Sequence, residues 1–140
     1  LKIGITGTRH NITQFQSEQL LFYLDNIKLQ SSEEAFQFGH GDCLGADVAG
    51  AKIADTLGFR IVCFPPSKSD LRGFYPSDIM YATKSYFARN RDIVDWCDIL
   101  LVVPVGMEHC VLGGTWYTHD YAIKVKKPIK IFWPENKLGI

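Results

Sequence analysis

Short β-rich runs alternate with longer stretches of helical spacing along the whole chain. Residues 2–6 (KIGIT) end at Gly7, which reads as a strand entering a turn. Thr13 is placed to cap a helix in which Phe15, Leu20, Leu24 and Ile27 fall near a helical period. Residues 35–38 read as a second strand, followed by the glycine-rich turn Gly39-His40-Gly41-Asp42-Cys43-Leu44-Gly45. Residues 46–57 (ADVAGAKIADTL) form a small-residue helix that Gly58 stops. Residues 60–64 (RIVCF) are a third strand, closed by Pro65-Pro66. Residues 67–83 read as irregular, and so long a connection inside a compact domain usually covers a functional site. Helical spacing resumes over 84–96, with Phe87, Val94 and either Trp96 or Cys97 as the buried set. Residues 98–103 (DILLVV) are almost continuously apolar, as suits a central parallel strand covered on both faces. A second loop, 104–112, leads to Gly113-Gly114-Thr115, which opens a helix to residue 125. Lys126-Lys127-Pro128 ends that helix, and 129–132 are the last strand.

Strictly alternating strands and helices imply right-handed crossovers and a parallel sheet. The expected fold is α/β, a Rossmann-like doubly wound sheet of about five strands in the order 3-2-1-4-5 with helices on both faces. In such sheets ligands bind outside the carboxyl ends of the strands, where the winding reverses between the first and fourth strands. The glycine clusters follow the first, second and fourth strands and so fall on that rim.

Composition narrows the ligand. A length of 140 residues fits one domain, 1–140, large enough to fold without disulfides. Lys+Arg and Asp+Glu are 15 each, so the net charge is zero. That balance argues against indiscriminate nucleic-acid binding, and an anion site must come from local geometry. The four cysteines, Cys43, Cys63, Cys97 and Cys110, contain no C-x-x-C pair and read as reduced thiols in the cytoplasm. No apolar run reaches the length of a membrane span, and no leader is expected ahead of the first strand. Leu1 is not an initiator Met, so at least one residue is expected upstream.

Four constellations carry candidate chemistry. In the turn after the first strand, Gly7 lets backbone approach a ligand, Thr8 offers a hydroxyl and Arg9 a bidentate phosphate donor. In His40-Gly-Asp-Cys-Leu-Gly-Ala-Asp47, Gly41 and Gly45 flank a loop entering a helix. The free N–H groups of such a helix start attract anions, while Asp42 is placed to meet a ribose and Asp47 to meet ligand or favour the helix dipole. In Arg89-Asn90-Arg91 one arginine is expected at the strand tips and the other in a surface pair with Asp92 or Asp95. Gly113, Gly114 and Thr115, directly after the most apolar strand, suit a phosphate nest. His10, His40, His109 and His119 show no zinc spacing, so no metal is expected. There is no nucleophile elbow either. Among the aromatics, Tyr75, Tyr81, Tyr86, Trp116 and Tyr117, one in the long loop could stack on a base.

These motifs, in collinear order over nearly the whole chain, resemble the SLOG superfamily. That group holds the DprA/Smf DNA-processing proteins, the cytokinin-activating LOG phosphoribohydrolases and small stand-alone domains of the DUF2493/YspA type. The stand-alone type is the nearest match, through Gly45-Ala46-Asp47 and Arg89-Asn90. The resemblance implies a Rossmann-like fold, a site for nucleotides or nucleotide-derived signals, and self-association, for which Phe22 and Tyr23 on the outer helices could serve or could equally be core. No cofactor is expected. The resemblance also implies where catalysis would sit. LOG enzymes carry a Glu three places after the threonine of their glycine motif, and here that place is Thr118, with Leu112 where their proline stands. Cleaving an N-glycosidic bond needs a carboxylate, for which Asp120, Glu108, Asp42 and Asp47 are substitutes out of place.

Three functions compete. The favoured one is a module that senses or sequesters a nucleotide or a NAD- or ADP-ribose-type phosphate ligand. The second is a LOG-like N-glycosidase or phosphoribohydrolase of nucleoside monophosphates. The third is DprA-like single-stranded DNA binding through Lys68, Arg72, Lys84, Arg89 and Arg91, or Lys124, Lys126 and Lys127, with zero net charge against it.

Overall fold

A computed structural model describes residues 1–31, 35–110 and 113–136. Its centre is a single parallel sheet of β1 (Lys2–Gly7), β2 (Gln37–His40), β3 (Arg60–Cys63), β4 (Ile79–Met80), β5 (Ile99–Val103) and β6 (Ile129–Ile131). The order is β4-β3-β2-β1-β5-β6. The expected order of five strands is therefore present, with β4 added at one edge. Its two residues pair with β3 and are too short to announce themselves against the surrounding Pro, Ser and Asp. Asp78 secures the join, accepting the Ile61 N–H on its side chain at 2.8 Å and donating its own N–H to the Ile61 carbonyl.

Among the described residues four helices cover the sheet: α1 (Gln14–Gln30), α2 (Ala46–Thr56), α3 (Tyr86–Trp96) and α4 (Gly114–Lys124). Side-chain alternation along the strands sorts them onto two faces. Ile3, Ile5, Ile61, Leu101 and Val103 form one buried cluster with Leu20 and Leu24 of α1 and Ala51 and Ala54 of α2. Val62, Leu100 and Val102 form the other, with Ile93 and Val94 of α3 and Ala122 of α4. β5 is buried from Leu100 onward because it serves both clusters, as its sequence demands.

Local differences from the expected elements have plain causes. β2 runs two residues past 38, because Gly39 and His40 pair with Val62 and Cys63 and the Trp96 ring fills the space over Gly39. α3 starts at Tyr86, since Lys84 is held extended in a bridge to Pro66. Phe87 is 51% exposed, stacked on Tyr117 rather than buried; Arg89, Asn90, Ile93 and Val94 face inward instead. Of the two candidate association residues, Phe22 is exposed, whereas Tyr23 packs edge-on against Phe132. Among the described residues no helix is long and apolar enough to cross a membrane.

The start of α1 also braces the strand tips. Thr13 and Gln16 form a reciprocal capping box. The buried Gln16 amide then donates to the carbonyls of Pro104 (2.7 Å) and Phe132 (2.9 Å), tying the ends of β5 and β6 together.

Candidate functional site

The winding reverses between β1 and β5, and a cleft of about 710 Å³ opens there, outside the carboxyl ends of the strands. Gly7, Thr8, Arg9, Asp47, Arg89, Asn90, Gly113, Gly114 and Thr115 all line it, so all four expected loops converge. Glu108 lines it too. Gly41, Asp42, Gly45 and Asp120 do not.

The wall made by the first two loops is built from backbone. Thr8 donates its N–H to the Val103 carbonyl and accepts the Ala46 N–H on its own carbonyl, both at 2.9 Å. Its hydroxyl accepts the His10 N–H, so the threonine shapes the turn. The glycines here permit close approach of protein to protein rather than to ligand. A Cβ on Gly7 would sit 2.5 Å from the Ala46 Cβ, and one on Gly45, whose φ is +91°, would fall on the Thr8 carbonyl.

Asp42 is fully buried with φ +59° and faces away from the cleft. Its carboxylate accepts Arg72 Nε and the Tyr75 N–H, each at 2.9 Å, which pins the segment around 72–75. Beside it, His40 Nδ1 accepts the Asp42 N–H, leaving the ring proton on Nε2 to meet Ser77 Oγ at 3.0 Å. Burial lowers the His40 pKa to about 4, against the pull of Asp42.

Asp47 opens α2 and accepts the N–H groups of Gly41 (3.0 Å) and Cys43 (3.3 Å) on one oxygen, Oδ2. Burial pushes its carboxyl up to about 6, against the lowering influence of Arg89. Arg89 is 4% exposed. Its guanidinium donates to the carbonyls of Gly41 and Phe64, to Asn90 Oδ1 at 2.6 Å and to Cys43 Sγ. It is the arginine at the strand tips. Arg91 is the surface arginine, and its partner is the Tyr117 hydroxyl at 2.7 Å. Asp92 and Asp95, the carboxylates expected for it, are occupied by Lys84 and the Tyr121 hydroxyl.

His40 and Asp47 set opposing pH responses. Lowering a histidine from 6.5 to about 4 makes stability rise with pH across that window, because the unfolded chain binds the extra proton. Raising an aspartate from 3.8 to about 6 makes stability fall with pH across its window. At about 1.4 kcal/mol per pKa unit the two offset each other. Asp47→Asn is therefore expected to lose about 2–3 kcal/mol more than the wild type on acidification from pH 6.5 to 4. Urea denaturation at stepped pH measures this; parallel curves for the two proteins would contradict it.

The opposite wall is the start of α4. Gly113, at the N-cap, has no side chain to satisfy the first-turn N–H groups, so these face the cleft unpaired by a cap. Asn90 Nδ2 lies next to Gly114. Thr118, at the position where LOG enzymes carry Glu, is buried and donates its hydroxyl to the Gly114 carbonyl at 2.8 Å. Leu112 lies outside the described residues. Arg9 is exposed on the rim, as is Lys68, and neither has an ion-pair partner among the described residues. Asp120 is exposed just outside the cleft, paired with His109 and with the largely covered His119.

Motif reading did not assign Ser67, Tyr86 or Trp116 to the ligand site, though all three line the cleft. Tyr86 and Trp116 carry the only available signal, as aromatics in the first turns of the two helices that open here. The lysines 124, 126 and 127 sit at the other end of the sheet: Lys127 donates to the Cys97 carbonyl, ahead of β5. They do not extend the cleft into a basic groove.

No family model matches the chain and no curated relative does. Solved structures do. A molybdenum cofactor binding protein from Rippkaea orientalis matches with a TM-score of 0.68 and 20% identity, over 93% of this chain and 74% of that one. The molybdenum cofactor carrier protein of Chlamydomonas reinhardtii matches at 0.63 and 21%, over 93% and 74%. DNA processing protein A (DprA) from Streptococcus pneumoniae matches at 0.65 and 16%, over 93% of this chain and 49% of that one. The chain shares the parallel-sheet, Rossmann-like fold of these structures.

Proposed function

We propose that this protein binds a nucleotide or nucleotide-derived phosphate ligand, ADP-ribose types included, and acts as a sensing or sequestering module. The observation that carries the reading is the uncapped start of α4 opening onto a cleft whose rim also holds Arg9 and Lys68 without anionic partners among the described residues. A helix N-terminus favours a phosphate through its free N–H groups and dipole, and an arginine adds a charge-assisted bidentate bond. Tyr86 and Trp116 offer flat apolar surface for the base beside it. The cleft's volume is that of a small-molecule site. Two structural neighbours are named as binding or carrying a small-molecule cofactor, the molybdenum cofactor. A thermal-shift panel tests the reading. Nucleoside monophosphates or ADP-ribose should stabilise the protein, by about 2.7 kcal/mol at a hundred times Kd, and the matching nucleosides should not. Equal shifts with and without phosphate, or none at all, would overturn it.

One observation favours a second reading, N-glycosidic cleavage. Asp47 is a carboxyl raised to about 6 within the cleft, the range that suits general acid–base chemistry. Release of free base by the wild type and its loss in Asp47→Asn would establish cleavage; binding without release would leave the module reading alone.

A further inference from the structure

We propose that His109, His119 and Asp120 form a site for one divalent transition-metal cation of the zinc type at the outer edge of the cleft. His109 Nε2 and His119 Nδ1 each lie 2.8 Å from the same oxygen, Asp120 Oδ1. All three donor atoms fall within 4.8 Å of one another. One ion at about 2.0–2.2 Å from imidazole nitrogen and carboxylate oxygen holds neighbouring donors roughly 3 Å apart, close to the two histidine–aspartate spacings found here. As the site stands each ring donates an N–H to Asp120 Oδ1; a cation would take the place of those two protons, each neutral ring then carrying its proton on the other nitrogen.

The rings are also held in place. Trp116 packs against His109 at 4.6 Å and against His119 at 4.9 Å between centroids, so the donors are oriented before any ion arrives. Sequence spacing hides the site because the loop after β5 folds back on α4, bringing residue 109 to a helix position ten and eleven residues further on. Three protein donors leave a coordination position open to solvent or to an incoming oxygen, the arrangement of an exchangeable zinc site. Glu108, Cys110 and Trp116 border the cleft, so the cation would sit at its mouth and join the loop to the helix. The site stands on these three residues alone and does not depend on what the cleft binds.

Isothermal titration of the full chain with zinc chloride in a non-chelating buffer at neutral pH tests the proposal. The expected result is one ion per chain, with affinity falling about 10–100-fold in His109→Gln and in His119→Gln. His109 is exposed but His119 is largely covered, against Trp116, so circular dichroism first checks that each variant is folded. Long-range proton–nitrogen NMR of the histidines should show His109 Nε2 and His119 Nδ1 shifting together. No saturable binding would overturn the proposal. So would binding that survives both histidine substitutions, or binding abolished only by Cys110→Ser.

Discussion

Arg89→Met should unfold at a midpoint about 10–20 °C below the wild type, a loss of about 3–5 kcal/mol. The change keeps much of the aliphatic volume and removes a buried charge whose donors are engaged on several sides. The carbonyls of Gly41 and Phe64 lose their donor, and so does Asn90 Oδ1. Each buried acceptor left without a partner costs about 1–3 kcal/mol. Asp47 would also lose a cation that opposes the effect of its burial, which would raise its carboxyl further. Arg89→Lys should recover little, because a single ammonium lacks the planar fork that reaches two carbonyls and an amide at once. Differential scanning calorimetry of the three proteins measures the effect. A midpoint within a few degrees of the wild type in Arg89→Met would show that the guanidinium is not what ties α3 to the tips of β2 and β3.

Arg9→Ala should do the reverse, leaving stability within about 0.5 kcal/mol while weakening a nucleoside monophosphate about 10–100-fold. Arg9 is exposed and has no ion pair among the described residues, so its removal breaks none. On the proposed reading the two arginines divide the work: Arg89 holds the cleft together from inside, and Arg9 would meet the ligand from the rim. Titration calorimetry with AMP or ADP-ribose, beside a thermal melt, separates the effects. Affinity unchanged in Arg9→Ala would remove the rim cation from the proposed site.

What could be read from residues alone follows the physics of each element. β5 was plain because ILLVV must be buried on both faces, and that placed it at the centre of a parallel sheet. The capped start of α1 was plain from Thr13. β4 was not, because two residues carry no period, and its pairing depends on Asp78 meeting a strand seventeen positions away. Within the site, glycines and helix starts marked the converging loops, since backbone geometry has a local signature. The direction of a carboxylate has none. Asp42 and Asp47 belong to one motif, yet Asp42 turns inward to Arg72 and Tyr75 while Asp47 borders the cleft. Likewise the pair Arg89 and Arg91 does not itself tell which takes the strand tips; the carbonyls of Gly41 and Phe64 around Arg89 decide it.

The central claim is that a phosphate sits between the start of α4 and the turn after β1. Amide proton–nitrogen NMR during titration with a nucleoside monophosphate tests this directly. The account predicts that the amides of Gly114, Thr115 and Trp116 move first and furthest, together with those of Thr8 and Arg9, and that the unphosphorylated nucleoside leaves them in place. Shifts gathered elsewhere on the sheet, or the same shifts with and without phosphate, would contradict it.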